Sequence, residues 1–324
     1  MSSRELLDEK IFERLGAQVA RGKWATTYLF TGDELDKKKA LATAFAKALN
    51  CTEKSFRFDC TCESCRQIES GVHPDVKWYG LDEEAASIKI EEVRDFKNWL
   101  SYKPFKGKVK AFIFNMAERL TAEAQNALLK SLEEPPPGNV ILLLVPHRKF
   151  LFDTIGSRAT EIKVPPFRTK EIRDLFIKEG IARDQADFLA RISGGELGRA
   201  RLGLSEKWFE RRNEWLEQLL KNPVSFLDEF QQAKRDEAAE LFDFLIQVAH
   251  DLLILKAKGE RELLIHVDRA GALDLIAMKH ELDSLTELFE SMTEAKAALD
   301  DYANVKLSLT HAEMIWDRLI GKKS

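Results

Sequence analysis

An α/β domain built on a parallel sheet, followed by helices alone, is the fold the sequence predicts, and three observations predict it. Short apolar β-type runs alternate with helical patterns as far as Pro165-Pro166, the arrangement that yields a parallel sheet with helical crossovers. One of those runs, Val140-Ile-Leu-Leu-Leu-Val145, is continuously hydrophobic, as a strand covered on both faces must be. From Thr169 onward no further β-type run occurs. A chain of 324 residues has room for two or three domains of the usual ~100–200 residues. The expected division is an α/β domain over 1–166, a small helical domain over 167–208 and an all-α bundle over 209–324.

Taken in order, Thr27-Tyr-Leu-Phe-Thr31 is the first strand candidate, followed by a turn and the amphipathic stretch Lys37 to Leu49. Val76-Lys-Trp-Tyr79 is the second and Val109-Lys-Ala-Phe-Ile-Phe114 the third. The helix before the fourth strand is well marked. Thr121 is its N-cap by residue type, Leu128, Leu129 and Leu132 form an apolar stripe, and Pro135-Pro-Pro137 stops it, because proline lacks the N–H and restricts the residue before it. Glu161-Ile-Lys-Val164 is the fifth strand candidate. Helical patterns then cover Lys170 to Lys178, Asp184 to Ile192 and Gly198 to Lys221, with Gly194-Gly195 breaking the run. Past Pro223 they cover Lys234 to Lys258, Arg261 to Glu281, Leu285 to Asp300 and Val305 to Ile320. The stripe Leu241, Phe244, Leu245, Val248 and Leu252 suits a bundle core and a seam between subunits equally well.

Composition narrows the function classes. Hydrophobic residues make up 44% and charged residues 32%, the balance of an ordinary globular protein. The longest apolar run, at 140–145, is far short of the ~20 residues a bilayer requires. The start, Met1-Ser-Ser-Arg-Glu-Leu-Leu-Asp-Glu-Lys10, is too polar and acidic for a signal peptide, so the expected location is the cytoplasm. A net charge of −4 excludes coating of nucleic acid through bulk positive charge. Lys103, Lys106, Lys108 and Lys110 lie close together, as do Lys207, Arg211 and Arg212; solvated faces are the expected reading of both groups.

All four cysteines cluster as C-x8-C-x-C-x2-C, at Cys51, Cys60, Cys62 and Cys65. Four thiolates at these spacings suit a tetrahedral structural zinc site with no open position for a substrate water. Disulfides fit poorly with a cytoplasmic protein. His73 is near in sequence, but four thiolates already satisfy zinc, and with Pro74 beside it a turn or packing role is expected. His147, His250, His266, His280 and His311 are scattered and suggest nothing catalytic, while Trp78, Tyr79 and Trp99 read as core or interface aromatics.

After the first strand comes Phe30-Thr-Gly-Asp-Glu-Leu-Asp-Lys-Lys-Lys-Ala-Leu-Ala42, where an ATPase would keep its phosphate loop. That loop needs glycines for close backbone approach, a lysine for phosphate oxygens and a hydroxyl for Mg²⁺. Gly32 and Lys38 match the G-x-x-x-x-G-K-[ST] spacing, but Lys37 stands at the second glycine, Lys39 at the hydroxyl, and Leu35 is bulky.

The stretch Ala124-Gln-Asn-Ala-Leu-Leu-Lys-Ser-Leu-Glu-Glu-Pro-Pro-Pro137, with Gly71-Val-His-Pro-Asp75 and Thr154-Ile-Gly-Ser-Arg158, resembles the signature of clamp-loader subunits of the AAA+ family. The resemblance spans about 24–202, and the cysteine module (51–65) between the first two strands is also a family feature. It implies an AAA+ sheet domain, a helical lid (167–208) and a C-terminal helical collar (209–324). At the positions of an active site, Asn115-Met116 replaces the acidic pair that would hold metal and activate water. Val145 or Pro146 replaces a polar sensor, and the lid sensor arginine falls on Gly198, beside Arg199. Hydrolysis and functional ATP binding are therefore not expected.

Ser157-Arg158 matches the family's serine–arginine motif, with Ala159 in place of the usual following cysteine. The resemblance implies that Arg158 acts as an arginine finger, in trans, on ATP bound by a neighbouring subunit. It implies a non-catalytic structural anchor at one end of an open five-subunit ring, within the DNA polymerase III holoenzyme. The implied partners are the motor subunits, the delta subunit, primer–template DNA within the complex and, indirectly, the sliding clamp. An ATP-hydrolysing motor subunit is the first alternative, opposed by residues 35, 37, 39, 115 and 116. A free-standing zinc-containing DNA-binding protein is the second, opposed by the acidic charge balance.

Overall fold

The computed structural model describes residues 6, 8–55, 57, 59–81, 85–133, 135–222, 226–230 and 232–320. Among the features read from the sequence, the first five residues, Leu7, Glu134 and Pro223 lie outside that set. The chain divides into two compact units, Met1–Phe167 and Arg168–Ser324.

The first unit is a five-stranded sheet of β1 (Thr27–Thr31), β2 (Val76–Tyr79), β3 (Lys110–Phe114), β4 (Asn139–Val145) and β5 (Thr160–Lys163). Its order is β2-β3-β4-β1-β5, and every pairing is parallel. Parallel neighbours cannot be joined by a tight hairpin, so helices make the crossovers. They are α2 (Leu35–Asn50) and α3 (Glu63–Glu69) after β1, α4 (Ile90–Leu100) after β2, α5 (Ala122–Glu133) after β3 and α6 (Asp153–Gly156) after β4, with α1 (Glu9–Ala20) preceding the sheet. Thr121 caps α5 as expected, its Oγ1 accepting the Ala124 N–H at 3.2 Å.

β1, β3 and β4 are buried at every position, and alternate residues serve opposite faces. Tyr28, Phe30, Leu142 and Leu144 pack with Leu15, Leu41, Phe45 and Leu49 on one side. Leu29, Phe112, Phe114, Ile141 and Leu143 pack with Val93, Phe96, Leu128 and Leu132 on the other. Each large side chain so buried contributes about 1.5–3 kcal/mol of transfer free energy. The continuous apolar run of β4 is the sequence image of this two-sided burial.

The second unit has helices and no strand among its described residues: α7 (Thr169–Lys178), α8 (Arg183–Ile192), α9 (Leu197–Ser205), α10 (Trp208–Lys221), α11 (Arg235–Lys256), α12 (Ala270–Ala277), α13 (Leu282–Asp300) and α14 (Val305–Leu319). Leu241, Phe244, Leu245, Val248 and Leu252 lie in one hydrophobic core with Leu285, Leu288, Met292 and Trp316. Two expected helices are broken. The stretch from Gly198 to Lys221 divides between α9 and α10 because Lys207 adopts the left-handed conformation, φ 57°. Arg261 to Glu281 yields two short 3-10 turns and α12, because the Asp251 carboxylate takes the backbone N–H groups of Ile265 and His266 at 2.8 and 2.7 Å.

Candidate functional site

Five parallel strands end at one edge of the sheet, which gathers Gly32, Gly80, Asn115, Pro146 and Val164. The Gly32 N–H donates to the Pro146 carbonyl at 2.9 Å, and the Val164 N–H to that of Thr31 at 2.7 Å. Gly32 has φ +140°, and a Cβ there would stand 2.2 Å from the Val164 carbonyl oxygen, so the backbone bend requires glycine.

Two of the three lysines of this segment are turned inside the protein. Lys38, 2% exposed, donates from Nζ to the Gly32 carbonyl at 2.5 Å. Burial brings its pKa down to about 8, against the pull of the Glu118, Asp33 and Glu34 carboxylates. Lys37 is 5% exposed and donates to the Pro165 and Pro166 carbonyls at 3.3 and 3.1 Å, with Nζ 3.9 Å from the Phe167 ring centroid.

Asn115 is fully buried and donates from Nδ2 to the Gly80 carbonyl at 3.0 Å. Met116 follows it in the left-handed conformation, φ 47°. Neither side chain can act as a base or carry the charge that draws Mg²⁺. Val145 is buried in β4. Gly198 lies in α9 with open space at its Cα, and Arg199 beside it is exposed.

Ser157 and Arg158 form the turn between α6 and β5. The Ser157 Oγ donates to the Thr154 carbonyl at 3.2 Å. Arg158 donates from Nη1 to the same carbonyl at 2.7 Å, and its Nη2 lies 2.7 Å from Glu133 Oε1. Its side chain keeps 35% exposure, so the guanidinium is oriented yet open to solvent. Glu133, which sequence reasoning passed over, is the last residue of α5.

The cysteines converge. Their four sulfurs lie within 4.8 Å of one another, with Cys51 to Cys60 at 3.6 Å and Cys51 to Cys62 at 4.0 Å. None is in a disulfide. A tetrahedral ion with metal–sulfur distances of ~2.3 Å sets sulfurs ~3.8 Å apart, so the four thiols fit such an ion. Burial opposes ionisation of Cys62, but hydrogen bonds from Thr52 and the Cys65 backbone bring it down to about 6. His73 takes no part among the four sulfurs. It is buried, with Nε2 3.0 Å from Ser64 Oγ and Nδ1 accepting the Asp75 N–H at 3.1 Å.

The family model described as DNA polymerase III, delta subunit, matches residues 7–168, and that described as DNA polymerase III, delta subunit, C terminal, matches residues 206–317. The chain belongs to the DNA polymerase III delta-subunit family, a family of clamp-loader subunits. DNA polymerase III subunit delta' of Bacillus subtilis (strain 168) is 26% identical over 316 residues, which are 94% of each protein. Subunit delta' of Pseudomonas aeruginosa is 33% identical over 159 residues, 48% of this chain and 47% of that one. Subunit tau of Escherichia coli (strain K12) is 28% identical over 93% of this chain, which spans only 45% of tau. A gamma subunit-related protein of Thermotoga maritima aligns with 95% of this chain and 99% of its own, at a TM-score of 0.44 and 22% identity. The clamp-loader resemblance and the α/β fold with an all-helical C-terminal part are thereby borne out.

This member of the delta-subunit family also carries a buried charged cluster that the sequence reading missed. Asp251 and His266 are both fully buried, with Asp251 Oδ2 2.8 Å from His266 Nδ1 and Asp251 Oδ1 3.0 Å from His250 Nδ1. Arg212, expected on a solvated face, is 3% exposed, pairs with Asp268 and sits over the Phe188 and Phe209 rings. Arg211 pairs with Glu240. No helix among the described residues is long and apolar enough to cross a membrane.

Proposed function

We propose that the chain is a non-catalytic clamp-loader subunit that anchors the assembly and donates Arg158 to ATP held by a neighbour. One observation carries the reading. In the loop that would grip phosphate, Lys38 turns onto the loop's own Gly32 carbonyl and Lys37 turns away to the Pro165 and Pro166 carbonyls, while Arg158 stands part-exposed and oriented on the turn before β5. A guanidinium in that setting can neutralise charge on a phosphoryl group that another chain positions. The chain does not hydrolyse ATP, and Gly32 and Lys38 form a relic with no nucleotide role.

Cys51, Cys60, Cys62 and Cys65 hold a structural zinc, since four soft thiolates close the coordination sphere and leave no site for a reacting water. The partners are the motor subunits and delta, with primer–template DNA met inside the complex and the clamp met indirectly, in the cytoplasm. Residues 167–208 serve as a lid and 209–324 as a share of the collar. The exposed Leu307 and Met314 of α14 and Leu275 and Met278 near α12 suit a seam between helical subunits.

Reconstitution with the other loader subunits tests the reading. Arg158→Ala is expected to leave assembly intact and to lower DNA-stimulated ATPase and clamp-loading rates; unchanged rates contradict it. The motor-subunit alternative requires tight, Mg²⁺-dependent binding of a fluorescent ATP analogue by the isolated chain.

A further inference from the structure

Helices α8, α9, α10 and α11 of the second unit enclose a cavity of about 90 Å³. Its walls are largely aromatic. Phe188 and Phe244 are buried, and Trp208 and Trp215 stand half-buried beside them. The rings are wedged in place. Trp215 meets Phe230 and Phe244 edge to face, with centroids 5.6 and 5.4 Å apart. Trp208 lies so close to α9 that a Cβ at Gly203 would stand 2.6 Å from its ring. An apolar pocket whose walls are already fixed loses little entropy when it takes up a guest.

The polar groups around the rings define what such a guest must carry. Arg212 borders the cavity, is 3% exposed and gives both of its Nη groups to Asp268, with Nη1 to Oδ2 at 2.9 Å. Its Nε–H is buried and has no acceptor among the described residues. A buried donor is rarely left unmet, so this wall calls for an acceptor that the chain does not supply. Glu240 does not supply it, because it pairs with Arg211.

At the mouth stand two charges of opposite sign. Arg199 is exposed and makes no hydrogen bond or ion pair among the described residues. Asp243 is 54% exposed, and Lys296, 3.8 Å from it, is held closer by Asp300 at 2.8 Å. Burial in the concave mouth still lifts the Asp243 carboxyl above its usual range, against the pull of Lys296 and Arg199. Arg199 is near enough for its charge to act on Asp243, yet the two do not pair. A cation and an anion set apart beside an aromatic pocket complement a ligand that carries both charges on one carbon next to a ring.

We propose that this cavity binds a free aromatic α-amino acid, with the ring among Trp208, Trp215, Phe188 and Phe244, the carboxylate accepting from Arg199 and Arg212, and the ammonium meeting Asp243. Only a free amino acid brings both charges on one carbon, so neither end of a peptide chain fits. The inference shares no residue with the loader reading and does not rest on it.

The test is isothermal titration calorimetry of the full chain with L-phenylalanine, phenylpropionate, phenethylamine, phenylalanyl-glycine and glycyl-phenylalanine. Phenylalanine is expected to bind at one site per chain with Kd on the order of 1 mM or tighter. Phenylpropionate, which lacks the ammonium, and phenethylamine, which lacks the carboxylate, are each expected to bind roughly tenfold more weakly. Arg199→Ala is expected to weaken phenylalanine while leaving phenethylamine unchanged, and Asp243→Asn to weaken phenylalanine while leaving phenylpropionate unchanged. Both variants are expected to keep the wild-type melting temperature, because both side chains are exposed. No saturation by phenylalanine below about 10 mM, equal affinity for either truncated probe, or full affinity in either variant overturns the site. Tighter binding of either dipeptide also overturns it, in favour of a docking site for a chain terminus.

Discussion

Arg158 and Glu133, distant in sequence, meet in an ion pair of 2.7 Å between the turn after α6 and the last residue of α5. Glu133 stands at the C-terminal end of a helix, where the macrodipole disfavours a carboxylate, and the guanidinium relieves that placement. The pair aims the arginine while leaving most of its five N–H donors uncommitted to protein.

Three substitutions separate aiming from chemistry. In reconstituted loader, Arg158→Ala is expected to lower the DNA-stimulated ATPase at least about tenfold, below the ~10³–10⁵ that arginine fingers contribute in GTPases. Arg158→Lys is expected not to restore it, since an ammonium lacks the planar fork. Glu133→Ala is expected to change stability by only about 0–1 kcal/mol, as both groups are part-exposed, and to change the rate far less than loss of the arginine does. Steady-state ATPase assays with denaturant melts check all three.

Lys38 makes the stability of the phosphate loop pH-sensitive. Its folded pKa, about 8, lies below its ordinary 10.5, so below pH 8 the folded state carries a charge that burial disfavours. Stability therefore rises as pH climbs from about 8 to about 10.5, where only the unfolded chain still holds the proton. Lys38→Met is expected to stabilise the chain near neutral pH by about 1–2 kcal/mol, allowing for solvent screening, and to flatten that rise. ATP turnover by the pure chain that disappears in this variant would sink the non-catalytic reading.

The cysteine cluster predicts metal content. Elemental analysis of the purified chain is expected to give about one zinc per chain. Cys65→Ser, or removal of the metal by a strong chelator, is expected to lower the melting temperature and to loosen the 51–65 segment to hydrogen exchange, with the sheet core still protected. A metal-free chain of unchanged melting temperature is the contrary result.

The parts of this molecule that were legible in the sequence are those fixed by local pattern. The strands carry two-sided burial in their own composition, as at Val140–Val145, and the cysteine spacing announces convergence of four sulfurs. Features set by partners distant in sequence were not legible. Lys110 reads as a surface lysine, yet two carbonyls at the end of α4 draw it inside. Arg212 reads the same way, yet Asp268 and two phenylalanine rings bury it. The break after Leu264 has no glycine or proline signal, since the carboxylate of Asp251 makes it.

That carboxylate supplies the last prediction. Asp251 accepts the N–H groups of Ile265 and His266 and lies within hydrogen-bond reach of both His250 and His266 side chains. Burial opposes its charge, but these partners hold its pKa below the usual range. Its stabilisation is therefore present above the unfolded value near 4 and is lost as pH falls below it. Burial also lowers the pKa of His266, which stays neutral in the fold while the unfolded chain takes up a proton near pH 6.5. Both groups act in one direction: stability declines on acidification, first below about pH 6.5 through His266, by at most about 1.4 kcal/mol per pH unit. Guanidinium unfolding at pH 7.5 and at pH 5 is expected to show this decline in the wild type and a flatter profile in His266→Gln. Asp251→Ala leaves two backbone N–H groups and two imidazoles without their acceptor and is expected to cost about 3–5 kcal/mol at pH 7.5. A loss under about 1 kcal/mol would mean that the helix break at 265–266 holds without the carboxylate.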